Sequence, residues 1–286
     1  MDWLLDPFSG AIGRRALVEV ILLGLACGPL GVWIVLYRRS YAAESISHGM
    51  LPGLVLAALA GVPLLLGAAG GVLLCAAAIT LVARDERLGG DVGVAVAVTA
   101  LFGLGAMLAL APAVPPRLEE LLFGDLLGVS SGDLMAAGVL AAAVAVALAV
   151  AFRPLSLVAF DAASARSLGA PPGRWQLALL ALLAVTTVVV VQGLGSLLVV
   201  ALILAPGAAA LNVTGRLPAA LGLATWLAAL AGAAGLVISH HLAVAAGASV
   251  ALCAVAEWVL SLLAWRMHAP SPPSTALPAD MFAQAR

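Results

Sequence analysis

Residues 32–70 read VWIVLYRRSYAAESISHGMLPGLVLAALAGVPLLLGAAG. One apolar run stops at Arg38 and Arg39, and another starts within a few residues. Inside that second run lie a carboxylate, Glu44, and an imidazole, His48, followed by Gly49, Pro52 and Gly53. The oily texture continues in both directions: 64% of the 286 residues are hydrophobic and 9% are charged. A soluble domain carries about 25% charged residues. Apolar runs near the ~20 residues that cross a bilayer recur from end to end, and the alternation of a membrane barrel is found nowhere. The sequence is that of an all-α, polytopic integral membrane protein.

Nine spans are predicted, eight to ten being the range that the glycine-rich boundaries leave. They run 16–37, 42–60, 63–83, 91–112, 133–152, 175–191, 194–212, 217–238 and 243–265. With the N-terminus outside, Arg38, Arg39, Arg84, Arg87, Arg153, Arg166, Arg174, Arg216, Arg266 and Arg286 fall on the cytoplasmic side. Only Arg14, Arg15 and Arg117 remain outside, so the positive-inside rule gives N-out, C-in. Residues 1–266 read as a single transmembrane domain with a cytoplasmic loop at 153–175. The Pro-, Ser- and Ala-rich tail 267–286 is expected to be disordered. RLEELLFGDLLG (117–128) has leucines at helical spacing and reads as a short helix on the outer surface.

Composition also excludes. The 13 basic residues are all arginine, and a P-loop needs a lysine to reach nucleotide phosphates. Work driven by ATP would therefore need a separate subunit for hydrolysis. Cys27, Cys75 and Cys253 are an odd number, each in an apolar run, and read as packing residues. The opening MDWLLDPFSGAIGRR does not read as a cleaved signal peptide.

Helix positions i and i+4 share a face, so Glu44 and His48 point the same way. Pro52 has no N–H for the carbonyl of His48, and its ring crowds that carbonyl, which predicts a kink or opening. Ser45, Gly49 and Gly53 form a small-residue stripe that allows another helix to come close. A carboxylate oxygen with an imidazole nitrogen is a half-site for Zn²⁺ or Mn²⁺, and two copies about a two-fold axis would supply four ligands. The plainer reading pairs Glu44 with Arg38 or Arg39 and satisfies His48 with a backbone carbonyl. Glu19, four residues after Arg15, reads as half of a local ion pair. Adjacent His240 and His241 fall in the outer connection ISHHLAV, where they would meet an arriving metal or simply face water. Glu257 lies within the last span with no partner that the sequence names.

In the loop, Asp161 is a good N-cap for the short helix formed by Ala162, Ala163, Ser164, Ala165, Arg166, Ser167 and Leu168. Gly169 and the two following prolines end it. Such an element suits docking of a cytoplasmic partner; a connector resting on lipid headgroups has the same pattern.

Taken in order, several blocks resemble the permease subunit of metal-ion ABC importers, the manganese/zinc/iron family. They are GPLGVWIVLYRRSYAAESISHGMLPG, RLGGDVGVAVAVTALFGLG, LLFGDLLGVSSGDL, RPLSLVAFDAASARSLGAPP and QGLGSLLVVALILAPGAAALNVTGRL. The resemblance covers nearly the whole chain. It implies a permease bundle in the bacterial cytoplasmic membrane that works as a homodimer. It also implies two cytoplasmic ATP-binding subunits and an extracytoplasmic solute-binding protein that delivers the metal. The ion would be substrate, with no permanently bound cofactor. The family's acid and histidine map onto Glu44 and His48 as the metal pathway, and Asp161–Gly169 onto the ATPase-coupling element. Two departures stand out. The acid is commonly Asp, and HHLAVAA replaces the usual aromatic and Asp-Pro-like outer segment, so His240 and His241 take their outer metal role from position alone.

On this reading the chain is a transport subunit rather than an enzyme. A secondary, ion-gradient-driven transporter is the alternative, and it would carry more ionisable groups at mid-membrane. A membrane hydrolase would want a motif such as H-E-x-x-H, which is absent from the sequence. The residues do not distinguish zinc, manganese and iron.

Overall fold

The computed structural model describes residues 6–82, 90–110, 126, 128–195 and 199–268. The expected surface helix at 117–128 lies outside these residues apart from Leu126 and Gly128, and so does the tail beyond His268. Among the described residues all regular structure is helical. A 3₁₀ turn at Asp6–Phe8 precedes α1 (Ala11–Leu36), α2 (Ser40–Gly49), α3 (Leu51–Ala60), α4 (Leu64–Val82) and α5 (Gly90–Ala109). Then follow α6 (Ser131–Phe160), α7 (Ala162–Ser167), α8 (Pro172–Leu194), α9 (Val199–Val213), α10 (Leu217–Leu242) and α11 (Ala246–His268).

Six helical stretches are long and apolar enough to cross a bilayer, with α2 and α3 counted as one stretch, Ser40–Ala60. Three shorter apolar helices, at Leu64–Ile79, Gly93–Ala109 and Val199–Val213, complete a set of nine among the described residues. Their order and positions follow the predicted spans closely. The main difference is α6, which continues to Phe160 where the sequence predicts an end at 152. Arg153 and Pro154 read as the start of a loop, yet Pro154 lies inside the helix. A proline removes one backbone donor without ending a helix whose next turns are held from outside. Here Tyr37 Oη donates to the Leu155 carbonyl at 2.9 Å, and Ser156 Oγ donates to the Phe152 carbonyl at 2.7 Å. The N-terminus of α6 is fixed by a reciprocal capping box between Ser130 and Asp133.

Helix α1 is the centre of the bundle, packed against α6, α9 and α10, with α11 behind the last two. Lipid tails are as apolar as the side chains, so close backbone approach rather than expulsion of water holds such helices together. A Cβ on Gly28 would fall 2.5 Å from the Ala224 carbonyl oxygen, and one on Gly31 would overlap Ile203. α2 to α5 form a second group, joined to the first mainly through α8, which touches α2, α4 and α6. Trp33, fully buried, stands edge-on to Phe152 and Tyr37 at centroid distances of 5.9 and 6.4 Å.

Candidate ion pathway

The helix from Ser40 to Ala60 is built in two ten-residue pieces with Met50 between them. Met50 keeps near-helical angles, φ −80° and ψ −16°, so the chain continues in the same sense across the break. Pro52 stands in the first turn of the second piece, where the missing N–H does least harm. Two glycines let neighbouring helices grip this point. A Cβ on Gly71 of α4 would lie 2.4 Å from the Met50 carbonyl oxygen, and one on Gly105 of α5 would lie 2.9 Å from the Pro52 nitrogen.

The Ser45, Gly49 and Gly53 face rests on α4. A Cβ on Gly49 would overlap Cys75, and one on Gly53 would sit 2.1 Å from the Gly67 carbonyl oxygen. Cys75 Sγ also reaches the Ser45 carbonyl at 3.4 Å. This stripe is consequently filled by the same chain and is not a surface left for a second copy. Ser45 and Ser47 are buried, and each donates its hydroxyl to the carbonyl one turn back, on Tyr41 and Ala43.

Glu44 is exposed on α2, between buried Ala43 and Ser45. His48, one turn further into the span, is half-buried against α5, its ring 5.0 Å from that of Phe102 at 68°. His48 Nδ1 is buried and has no hydrogen-bond partner among the described residues. No ion pair within 4 Å joins Glu44 to Arg38 or Arg39. The plainer assignments for this carboxylate and imidazole, an arginine and a backbone carbonyl, are thus not the contacts seen. Among the described residues no group of three or more His, Cys, Asp or Glu is placed to hold an ion. Glu44 and His48 are two donor groups one turn apart on the same helix.

His240 and His241 are not brought to Glu44 and His48. They occupy the last turn of α10, with rings 5.2 Å apart and nearly perpendicular, and His240 Nε2 lies 3.7 Å from Asp6 Oδ2. Both of those partners are about half exposed or more, so the contact holds the N-terminal turn against the end of α10 only weakly. Glu19 turns inward and is 4% exposed, its carboxylate against Gly193, while Arg15 is exposed. Glu257 is half-buried on α11, and its Oε2 has no hydrogen-bond partner among the described residues.

The loop after α6 is locally well specified. Asp161 Oδ1 accepts from the N–H groups of Ala163 and Ser164 at 3.1 and 2.9 Å. At the other end the Gly169 N–H bonds to Arg166 and the Ala170 N–H to Ala165, with Gly169 at φ +79°. That is a Schellman termination, and it requires the left-handed residue that glycine supplies. The Ser164 hydroxyl first, then the N–H groups of Ser164 and Ala163, hold the Asp161 carboxyl below its ordinary range. Ala165 alone of α7 is buried, while Phe160 and Leu168 are 72% and 67% exposed on either side of it.

Sequence reasoning missed Phe102, Gly105 and Cys75 as neighbours of this site. The spacing of Gly67 and Gly71 was a readable signal for close helix packing; a phenylalanine in an apolar span carries none.

A bundle of many apolar helices, one of them interrupted beside Glu44 and His48, with a short capped helix between α6 and α8, is consistent with a membrane transport subunit. The chain belongs to the ABC 3 transport family, whose sequence pattern it matches over residues 11–264. It is 34% identical to the manganese transport system membrane protein MntC of Halalkalibacterium halodurans, covering 87% of this chain and 85% of that one. It is 30% identical to the chelated iron transport system membrane protein YfeD of Yersinia pestis, covering 90% and 87% respectively. Among solved structures, PsaBC from Streptococcus pneumoniae in complex with Fab superposes with a TM-score of 0.84 at 27% identity, over 91% of this chain and 94% of that one.

Proposed function

We propose that this chain is the permease of an ATP-driven importer that carries a divalent transition metal ion, manganese, iron or zinc, into the cell. The observation that carries this reading is the pairing of an exposed Glu44 with a shielded, unbonded His48 Nδ1 one turn along the same membrane helix. A charged group at the centre of a span costs about 2.5–3.5 kcal/mol on insertion scales, so one inside a span stands where a cavity, an ion or a partner repays it. Transition metals of this class take four or more ligands. Two copies of the permease, each giving one carboxylate and one imidazole, would supply them and still let the ion leave. The names of the relatives agree with manganese or iron as substrate.

ATP hydrolysis is assigned to two cytoplasmic subunits seated on Asp161–Gly169. The large apolar side chains left exposed there, Phe160 and Leu168, support a docking role over a headgroup-resting connector. A solute-binding protein would deliver the ion at the outer face, near His240 and His241. ATP binding then shifts the population between outward- and inward-open forms.

The test is uptake by the assembled transporter carrying Glu44→Ala and His48→Ala. Metal uptake should vanish while co-purification with the ATP-binding subunits persists. Normal uptake in the double variant would remove these residues from the pathway.

A further inference from the structure

The loop on α7 and the ligand-bearing α2 are far apart in sequence, yet one three-residue joint touches the surroundings of both. We infer that Tyr37 and Gln176 are positioning residues that tie the coupling loop to the helix of Glu44 and His48. The inference rests on the reading of Asp161–Gly169 as the seat of the ATP-binding subunits.

Tyr37 caps the C-terminus of α1, and its hydroxyl donates to the Leu155 carbonyl at 2.9 Å, six residues before the loop. Its ring packs on a small cluster formed by Val158, Ala165 and Ala170, with Trp175 on the same cluster. Ala165 and Ala170 are the buried residues of the loop itself. Arg39, the residue before α2, donates from Nη2 to Gln176 Oε1 at 3.2 Å, and Gln176 is the neighbour of Trp175 at the start of α8. Between Tyr37 and Arg39 stands Arg38 at φ +55°, a conformation that a side chain with a Cβ rarely adopts. The joint between α1 and α2 is therefore held from one side by the end of α6 and from the other by the start of α8. These are the two helices that the coupling loop connects.

A push on Ala165 and Ala170 must displace the Tyr37 and Trp175 rings that cover them, since packed side chains transmit strain instead of absorbing it. Both rings adjoin hydrogen bonds that fix the entry to α2. Glu44 follows Arg39 by little more than one helical turn. Coupling between distant sites needs an element with two discrete arrangements, and this two-sided clamp, with left-handed Arg38 at its centre, is the element to which we assign it.

The experiment reconstitutes the complete transporter, with its ATP-binding subunits and binding protein, in proteoliposomes and reads metal ions imported per ATP hydrolysed. Tyr37→Phe combined with Gln176→Met removes both hydrogen bonds and nearly no volume. The ratio should fall at least about fivefold, the factor that one ordinary hydrogen bond carries, while ATPase turnover and subunit assembly persist. Gln176→Glu alone, which keeps an acceptor for Arg39 and leaves Tyr37 intact, should leave the ratio at the wild-type value. An unchanged ratio in the double variant overturns the inference, as does an equal loss of transport and ATPase turnover. Leu168→Asp separates the two levels. If it still binds the ATP-binding subunits in full, the docking reading fails and this inference falls with it. If it loses them while the double variant transports normally, docking stands and the clamp alone is wrong.

Discussion

The imidazole of His48 meets the ring of Phe102 edge to face, with centroids 5.0 Å apart, so α5 packs directly on this side chain of α2. Ring pairs of this kind are worth about 0.5–1.5 kcal/mol beyond burial. Phe102→Leu keeps the apolar wall and releases the imidazole. The expected outcome is a several-fold rise in the KM for metal uptake with ATP consumption per ion unchanged, measured as initial rates across metal concentrations.

Glu44 is one methylene longer than an aspartate would be at the same position. Preference among similar divalent ions depends on the geometry and number of ligands more than on raw affinity. Glu44→Asp should therefore shift the ratio of manganese to zinc uptake without abolishing either. Competition assays with the two ions at fixed total concentration would read that shift.

The crossing of α3 over α4 has no room for a side chain at Gly53, since the nearest atoms are backbone of Gly67 and Gly71. Overpacking of that kind costs about 1–3 kcal/mol, and Gly53→Ala should lower the melting temperature of the detergent-solubilised protein. Gly70→Ala on the same α4 helix meets nothing within 4 Å. It should be neutral or stabilising, because alanine is the better helix former by about 1 kcal/mol.

The Asp161 cap makes a pH prediction. Its carboxyl is held below the ordinary range by the bonds that it accepts from Ser164 and Ala163. Its contribution to the loop is thus fully present above the unfolded-state value. It is lost as pH falls from there through the lowered folded-state value. Amide exchange over residues 162–168 should be pH-independent near neutrality, after allowance for intrinsic rates, and should accelerate in acid. Asp161→Asn, which retains an acceptor but no charge, should flatten that response; the same acid response in the Asn variant would exclude the carboxylate as its source.

Much of the architecture was legible in the chain because membrane spans are written in composition. Each needs about 20 apolar residues, and arginines mark their cytoplasmic ends. The break near Pro52 and the cap at Asp161 were legible for local reasons, a missing donor and a short acceptor. What escaped is long-range. Nothing local announces that Phe102 would reach His48, or that Tyr37 would bond to the Leu155 carbonyl and so let α6 run past Pro154. Glu19 misled because its nearest arginine in sequence, Arg15, faces outward while Glu19 faces inward. Spacing along one helix gives the face but not what the fold places against it.

The interruption at Met50 gives the crossing helix an elbow instead of a uniform rod. Its outer forearm is wedged by the glycines of α4, and the inner forearm, which carries Glu44 and His48, rests on Cys75 of the same helix and is anchored at the Arg39 end. Swinging the inner forearm through a few degrees would reorient both donor groups together, with the hydrogen-bond ladder of the outer forearm left whole.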